Sequence, residues 1–309
     1  DYTVSVVATG LDGGSASQTK NITIDTTAPE VPSVFLSEAS DSGEKGDDIT
    51  NVDNPTFIGR GEFGSTITFT INDIDYTAAV EANGTWEVTI DVLEEREEAY
   101  EYTVVAEDVA GNISLEASGS VKIDTSIVLT GGLAEDSNSG TVNDTITNVT
   151  TPVFSGTGEV GTTVTLSITV DQDILSYDAV VDENGIWSIG PIDAVGEDGT
   201  YPYTLSSVDV ADNTISLDRE FTLDTSVSEL TVELDLSSDS GFLGDNLTSD
   251  NTPTFSGVSE AGATIDLVIN AETYTALADD SGNWSVTVPD KLPDGEYVYD
   301  VTATDVAGN

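Results

Sequence analysis

Hydrophobic and polar residues alternate with period two along most of the chain, as in Thr264-Ile265-Asp266-Leu267-Val268-Ile269 and Trp284-Ser285-Val286-Thr287-Val288, with Gly, Asn, Asp and Pro between the runs. This is the signature of half-buried strands joined by turns, so the chain reads as all-β. Leu93–Ala99 could wind into a turn or two of helix, while its counterparts at 194–200 and 291–296 read as loops. Towards the C-terminus the pattern predicts strands near 229–236, 253–258, 263–269, 272–278, 284–288 and 297–304, with a seventh expected beyond residue 309.

The same pattern returns three times. Asp-Thr-Thr or Asp-Thr-Ser opens a segment at Asp25, Asp124 and Asp224; a Trp two positions after a Gly recurs at Trp86, Trp187 and Trp284; and Asp-Val-Ala-Gly-Asn at 108–112 and 305–309 has Asp-Val-Ala-Asp-Asn at 209–213 between them. The period is about 100 residues, too long for solenoid or propeller repeats of about 20–50 residues and long enough for a domain with its own core. The expected division is 1–23 as the closing strands of a preceding repeat, then repeats at 24–122, 123–222 and 223–309, the last without its final strand. Unpaired edges at such cut domains favour association that reports on the cut rather than on biology.

Seven short strands in about 100 residues predict an immunoglobulin-like β-sandwich, and tandem copies predict a linear, monomeric rod. Tyr201 and Tyr297, each after Asp-Gly-x, stand at the start of the penultimate strand, where such sandwiches place a tyrosine corner; the first copy keeps only Tyr100. With no Cys in the chain, the antibody-type disulfide framework is excluded, and each Trp is expected to pack in a core.

Charge changes the picture most. The chain has 58 acidic and 7 basic residues, a formal charge of −51, and no His. Nucleic acid and anionic membrane surfaces repel such a protein, and no apolar run is long enough to insert into a bilayer. At 38% hydrophobic residues in strict alternation, the chain is folded rather than disordered. Self-repulsion of this size calls for high salt or bound divalent cations. Without Cys or His, thiolate and imidazole chemistry is absent, which removes most transition-metal sites, nucleophile–base pairs and Gly-x-Ser-x-Gly-type hydrolysis; no acidic pair recurs beside an aromatic platform as a glycosidase would need.

The template formed by Ile24-Asp25-Thr26-Thr27-Ala28-Pro29, Asn54-Pro55-Thr56-Phe57, Asn83-Gly84-Thr85-Trp86 and Asp108-Val109-Ala110-Gly111-Asn112 resembles the bacterial Ig-like repeats of giant secreted adhesins, closest to the acidic stalk repeats of large non-fimbrial ones. The resemblance spans the whole chain. It implies a secreted or cell-surface protein exported by type I secretion, with roles in adhesion, virulence or biofilm. It also implies a rod that holds a host-directed binding region, carried elsewhere in the protein, away from the cell, with calcium between neighbouring repeats.

Geometry gives the calcium expectation residues. With strands lettered A to G in chain order, the A–B loop lies at the exit pole of one sandwich and the F–G loop at the entry pole of the next, on either side of the linker Asp. The first full junction therefore gathers Asp41, Asp47 or Asp48, Asp124 and Asp209; the second gathers Asn138, Asp144, Asp224 and Asp305; Asp239 and Asp245 form the A–B loop of the third repeat; and Asp25 with Asp108 forms an incomplete N-terminal set. Oxygen ligands of this kind suit Ca2+, which takes six to eight at about 2.3–2.6 Å in loose geometry, better than Mg2+ with its strict octahedron. Asp-Gly, Asp-Ser-Gly and Ala-Gly-Asn are also ordinary turn formers that need no metal. The alternative to a stalk is a module that itself binds a host or matrix ligand such as a glycan, and such a module would show one copy elaborated with aromatic or basic groups.

Overall fold

The computed structural model describes residues 2–141, 144–193 and 195–309; Asp1 of the opening strand and Ala194 of the 194–200 loop lie outside the described residues. The protein is all-β, built of tandem immunoglobulin-like sandwiches. Its contacts cluster into two compact units, Asp1–Ile127 with Val208–Thr214, and Val128–Ser207 with Ile215–Asn309.

The N-terminal strands Tyr2–Thr9 and Ser15–Ile22 form an isolated antiparallel hairpin, exposed on both faces. In the first repeat, strands Ser33–Leu36 (A), Thr56–Arg60 (B) and Thr85–Thr89 (E) make one sheet. The other has the order Ile49–Thr50, Ala117–Ile123 (G), Tyr100–Glu107 (F), Thr66–Ile71 (C) and Ile74–Ala79 (D). The second repeat copies this with Gly132–Leu133, Phe154–Thr157 and Ile186–Ile189 facing Ile146–Thr147, Thr214–Leu223, Gly199–Val208, Thr163–Val170 and Asp173–Val180. In the third, Glu233–Leu234, Thr254–Val258 and Asn283–Thr287 face the three strands Glu272–Leu277, Thr264–Ile269 and Tyr299–Thr304.

The alternation read from sequence is the alternation of burial. In strand Tyr100–Glu107 every second side chain enters the core, and the same holds along the whole of Thr264–Ile269. Each repeat has its own apolar cluster, around Phe57 and Trp86, Phe154 and Trp187, and Phe255 and Trp284. All three Trp are buried, as a core role requires. Opposite each lies a strand-B glycine, Gly59, Gly156 or Gly257, where an added Cβ would fall 1.8, 2.0 or 1.9 Å from the carbonyl oxygen of Ser33, Thr130 or Thr231. Strand A crosses so close that no side chain fits there.

The tyrosine corner is present in every repeat. The hydroxyls of Tyr100, Tyr201 and Tyr297 donate to the carbonyls of Glu94, Glu197 and Pro293 at 2.9, 2.7 and 2.9 Å. Two readings need correction. The first strand of the third repeat, expected over 229–236, is regular over Glu233–Leu234, with Thr231 N and Asp235 N still donating to Val258 O and Thr254 O at 2.8 and 2.9 Å, and it ends where Asp235 Oδ1 takes the Ser237 amide and hydroxyl. The segment around Leu93–Ala99 is irregular, and the helical element among the described residues is a single 3-10 turn at Glu135–Ser137.

Candidate metal centre at the linker aspartate

In the second unit, three carboxylates converge on one end of the third repeat. Asp224 follows strand Thr214–Leu223, with its amide tied to Thr147 O at 2.8 Å; Glu260 lies in the turn after Thr254–Val258; Asp305 follows Tyr299–Thr304. One carboxylate oxygen from each lies within 4.8 Å of the other two. Asp305 is 5% exposed and the other two are half-buried. Burial pushes the Asp224 carboxyl above the usual carboxylate range, the Ser226 amide opposes this, and the charges of Glu260, Asp305 and Asp198 push the same way as burial. Like charges held this close, partly out of water, demand a counter-charge. Three carboxylates on separate loops can supply half of a calcium shell or more, since each can bind through one oxygen or two.

Asn309 frames this group. Its side-chain amide donates to Asp224 O and Asp305 Oδ2, both at 2.8 Å, while its backbone amide donates to Asp305 Oδ1 at 2.8 Å. The bridge recurs. Asn213 joins Asp124 O at 2.8 Å to Asp209 Oδ2 at 2.7 Å, and Asn112 joins Asp25 O at 3.3 Å to Asp108 Oδ2 at 2.8 Å. The Asp that opens each Asp-Val-Ala-x-Asn loop is therefore a turn cap, as its sequence allows, and also one arm of a pair with the linker Asp. Asp124 and Asp209 are buried, and burial followed by the Asp209 charge holds the Asp124 carboxyl high, with Lys122 pulling it down. Asp25 is exposed, and the Asn112 side chain together with the loop amides holds Asp108 low.

The A–B loops touch the F–G loops through glycine rather than through carboxylates. A Cβ on Gly43 would lie 1.9 Å from Val210 O, and one on Gly140 would lie 2.1 Å from Val306 O. Thr141 N also donates to Val306 O at 3.0 Å, and Ser139 Oγ to Ala307 O at 2.6 Å. Asp47, Asp144 and Asp245 each accept the amide two residues on, from Ile49, Ile146 and Leu247, all at 2.9 Å. Asp48 has φ 61°, and burial, then Asp41 and Asp47, hold its carboxyl high. The carboxylate that joins Asp224 and Asp305 within this distance is Glu260. Sequence reasoning passed over Glu260, although a Glu followed two residues later by Gly recurs after strand B at Glu62, Glu159 and Glu260. In Asp41 and Asp239, Oδ2 accepts the Gly46 and Gly244 amides at 2.9 and 2.5 Å, whereas Oδ1 is buried with no hydrogen-bond partner among the described residues. A buried polar atom left so costs about 1–3 kcal/mol or more.

A second acidic device, also missed in the sequence, holds the residues after the linker Asp. Glu95 Oε2 accepts the Thr125 amide at 3.1 Å and hydroxyl at 2.7 Å, and its Oε1 accepts the Ser126 hydroxyl at 3.0 Å. Asp198 does the same at the next linker, with the Thr225 amide and hydroxyl on Oδ1 at 2.9 and 2.8 Å and the Ser226 hydroxyl on Oδ2 at 3.3 Å. Both carboxyls are held low, first by the Thr hydroxyl. Each acid directly follows the carbonyl that its tyrosine corner holds, at Glu94 and Glu197, so the corner fixes the base of the clasp.

Sandwiches with this strand order, repeated in tandem, define a class of immunoglobulin-like repeat modules. The bacterial Ig-like domain profile matches residues 27–125, 127–225 and 226–309, and the chain belongs to that family. No curated protein matches it. Among solved structures it is similar to a tetra-tandem repeat in the extending region of a large adhesion protein, at 20% identity and TM-score 0.33 over 99% of this chain and 78% of that one. A Ca2+-stabilized adhesin of an Antarctic bacterium is similar at 23% identity and TM-score 0.35, over 98% and 80%. A 1.5-MDa bacterial ice-binding adhesin is similar at 25% identity and TM-score 0.37, over 92% and 95%.

Proposed function

We propose that this chain is a calcium-rigidified, non-catalytic stalk segment of a large secreted or surface-bound bacterial adhesin, its repeats spacing a distal binding region from the cell. The observation that carries the reading is the convergence of Asp224, Glu260 and Asp305 from three loops onto one point beside a linker. Adhesins are what the similar structures are; for this chain the argument rests on its own residues. Calcium at Asp224, and by the repeat of the motifs at Asp124 with Asp209, would neutralise opposed carboxylates and fix one repeat on the next. Without the ion the same charges repel. Extracellular calcium sites commonly bind at about 10⁻⁴–10⁻³ M, so such a linker is loose in a calcium-poor cytoplasm and firm outside.

Small-angle X-ray scattering in millimolar calcium, in EDTA, and in magnesium at matched ionic strength tests this. A maximum dimension that lengthens only with calcium supports the ion-locked stalk; identical profiles in the three buffers refute it.

One observation favours a second reading, a repeat that binds a glycan. On the outer face of the first repeat, Phe35 pairs with Ile58 and Ile58 with Glu87, beside a cavity of about 670 Å³ that Arg60 and Thr77 also line. The second and third repeats carry Gly132 with Ser155, and Glu233 with Ser256, at those places. Saccharide binding lost on Phe35→Ser would establish this reading, and absence of binding across a glycan array would remove it.

A further inference from the structure

The pattern Asn-x-Ser/Thr, in which x is not Pro, marks an asparagine whose side-chain amide can accept a sugar. It occurs at Asn21, Asn83, Asn112, Asn143, Asn148, Asn246 and Asn283, of which Asn143 lies outside the described residues. The folded chain does not leave these equal. An amide nitrogen is a poor nucleophile because its lone pair is drawn into the carbonyl, so a transferase has to take a proton from it, and a donor on the carbonyl oxygen makes that proton easier to remove. A good acceptor therefore has an exposed turn, an amide nitrogen with no other partner, and the hydroxyl two residues on turned back onto its own Oδ1.

Asn83 has all three. It stands in the turn between strands Ile74–Ala79 and Thr85–Thr89, closed by Glu81 N on Thr85 O at 2.8 Å and Gly84 N on Glu81 O at 2.9 Å, with Gly84 at φ 78°. The residue is exposed, its Oδ1 accepts the Thr85 amide at 3.0 Å and the Thr85 hydroxyl at 2.7 Å, and its Nδ2 has no hydrogen-bond partner among the described residues. Each of the others falls short. Nδ2 of Asn112 is spent on Asp25 O and Asp108 Oδ2, and Nδ2 of Asn283 on the Asp279 carboxylate at 3.4 and 3.5 Å. Asn21 is paired with Thr3 inside a hairpin strand, and its Oδ1 accepts the Thr3 hydroxyl instead. Asn148 is half-buried, and a Cβ on Gly308 would lie 3.8 Å from its Nδ2. Asn246 is exposed, but the Thr248 hydroxyl that should serve it donates to Ser238 O. The matching turns of the other repeats lack the pattern, with Ile186 where the first has Thr85 and Ser281 where it has Asn83.

We propose that Asn83 is a glycosylation site, taking a sugar in N-linkage from a glycosyl diphosphate donor by way of a separate transferase. Nδ2 attacks the anomeric carbon, and the N–C bond forms as the bond from that carbon to the donor's phosphate oxygen breaks. The diphosphate leaves with the electron pair of the broken bond, and one Nδ2 proton passes to a base on the transferase. The Thr85 hydroxyl is a positioning group, holding Oδ1 towards the turn and Nδ2 towards solvent. The site is independent of the calcium reading and belongs to the first repeat alone among the three matching turns.

Peptide mapping by mass spectrometry of the protein recovered from the cells that make it tests this. The expected result is a saccharide on the peptide that contains Asn83, lost in Asn83→Gln and Thr85→Val chains and regained in Thr85→Ser, which keeps the hydroxyl, with melting temperatures checking that each variant folds. Incubating the unmodified chain with UDP-glucose and a soluble sequon-directed transferase, or with a polyprenyl diphosphate oligosaccharide and a membrane transferase, distinguishes the two sources of donor. An Asn83 peptide that is bare in the recovered protein and in both incubations overturns the site. Sugar retained on the Thr85→Val chain overturns the role of the hydroxyl, and sugar on Asn112, Asn246 and Asn283 as readily as on Asn83 overturns the selection by the turn.

Discussion

The linkers at Asp25 and Asp224 begin with nearly the same three residues, Asp-Thr-Thr and Asp-Thr-Ser, and end up in different surroundings. Asp224 leaves a strand inside a five-stranded sheet, is half-buried, and meets Glu260 and Asp305. Asp25, which follows the strand Ser15–Ile22, is exposed, accepts the Thr27 amide on its carboxylate, and is held by Asn112 through a longer contact. The motif alone does not build the site. At Asp224 burial beside Glu260 and Asp305, rather than the motif, turns a capping aspartate into a charge in need of a partner.

The largest effect that would break this contrast is on calcium binding. Asp224→Asn combined with Asp305→Asn is expected to weaken the linker site at least about tenfold, or about 1.4 kcal/mol, by calorimetry. Retained affinity would show that the three carboxylates are turn caps only. The next effect is on pH dependence. Because the Asp224 and Asp124 carboxyls are raised in the fold, their ionised forms oppose it, so the calcium-free protein should gain melting temperature from these groups as the pH falls through their raised values. Asp198 and Glu95 carry the opposite sign: their contribution is present above their ordinary carboxylate values and is lost only as the pH falls through their depressed ones. A scanning-calorimetry optimum at neutral pH in calcium-free buffer would contradict the raised pair.

A smaller change is expected for Tyr201→Phe, which removes the corner bond to Glu197 O and should cost about 1 kcal/mol of unfolding free energy. It should also speed amide exchange at Thr225, whose partner Asp198 loses its fixed base; an unchanged exchange rate would separate corner from clasp. Asp25→Asn is the smallest and the sharpest control, with calcium affinity and melting temperature both unaltered.

The sandwich was legible because burial enforces period two, and because a Trp and a corner Tyr leave marks that no turn residue imitates. The linker and F–G aspartates were legible as recurring pairs, since Asp224 and Asp305 repeat with the domain. Glu260 was not, because a Glu before Gly in a strand connection looks like any turn, and only the antiparallel return of strand B brings it beside residues 36 positions earlier and 45 later. Glu95 sits among Glu94, Glu97 and Glu98, where no local signal separates the residue that bonds to Thr125 from its neighbours. The choice depends on the Tyr100 bond, a tertiary contact. The unpartnered oxygen of Asp239 is likewise invisible in a loop whose composition predicts turn capping and nothing more.

The clasp between the corner loop and the residues after the linker Asp has a mechanical consequence. A pull on the chain at Ser126 or Ser226 is not carried by the linker backbone alone, since the hydroxyl bonds to Glu95 or Asp198 divert part of it into a loop anchored by a buried or half-buried tyrosine. Tension is thereby shared with the body of the sandwich before it reaches the terminal strand, and the first bonds to yield are short side-chain contacts that re-form when the load is released.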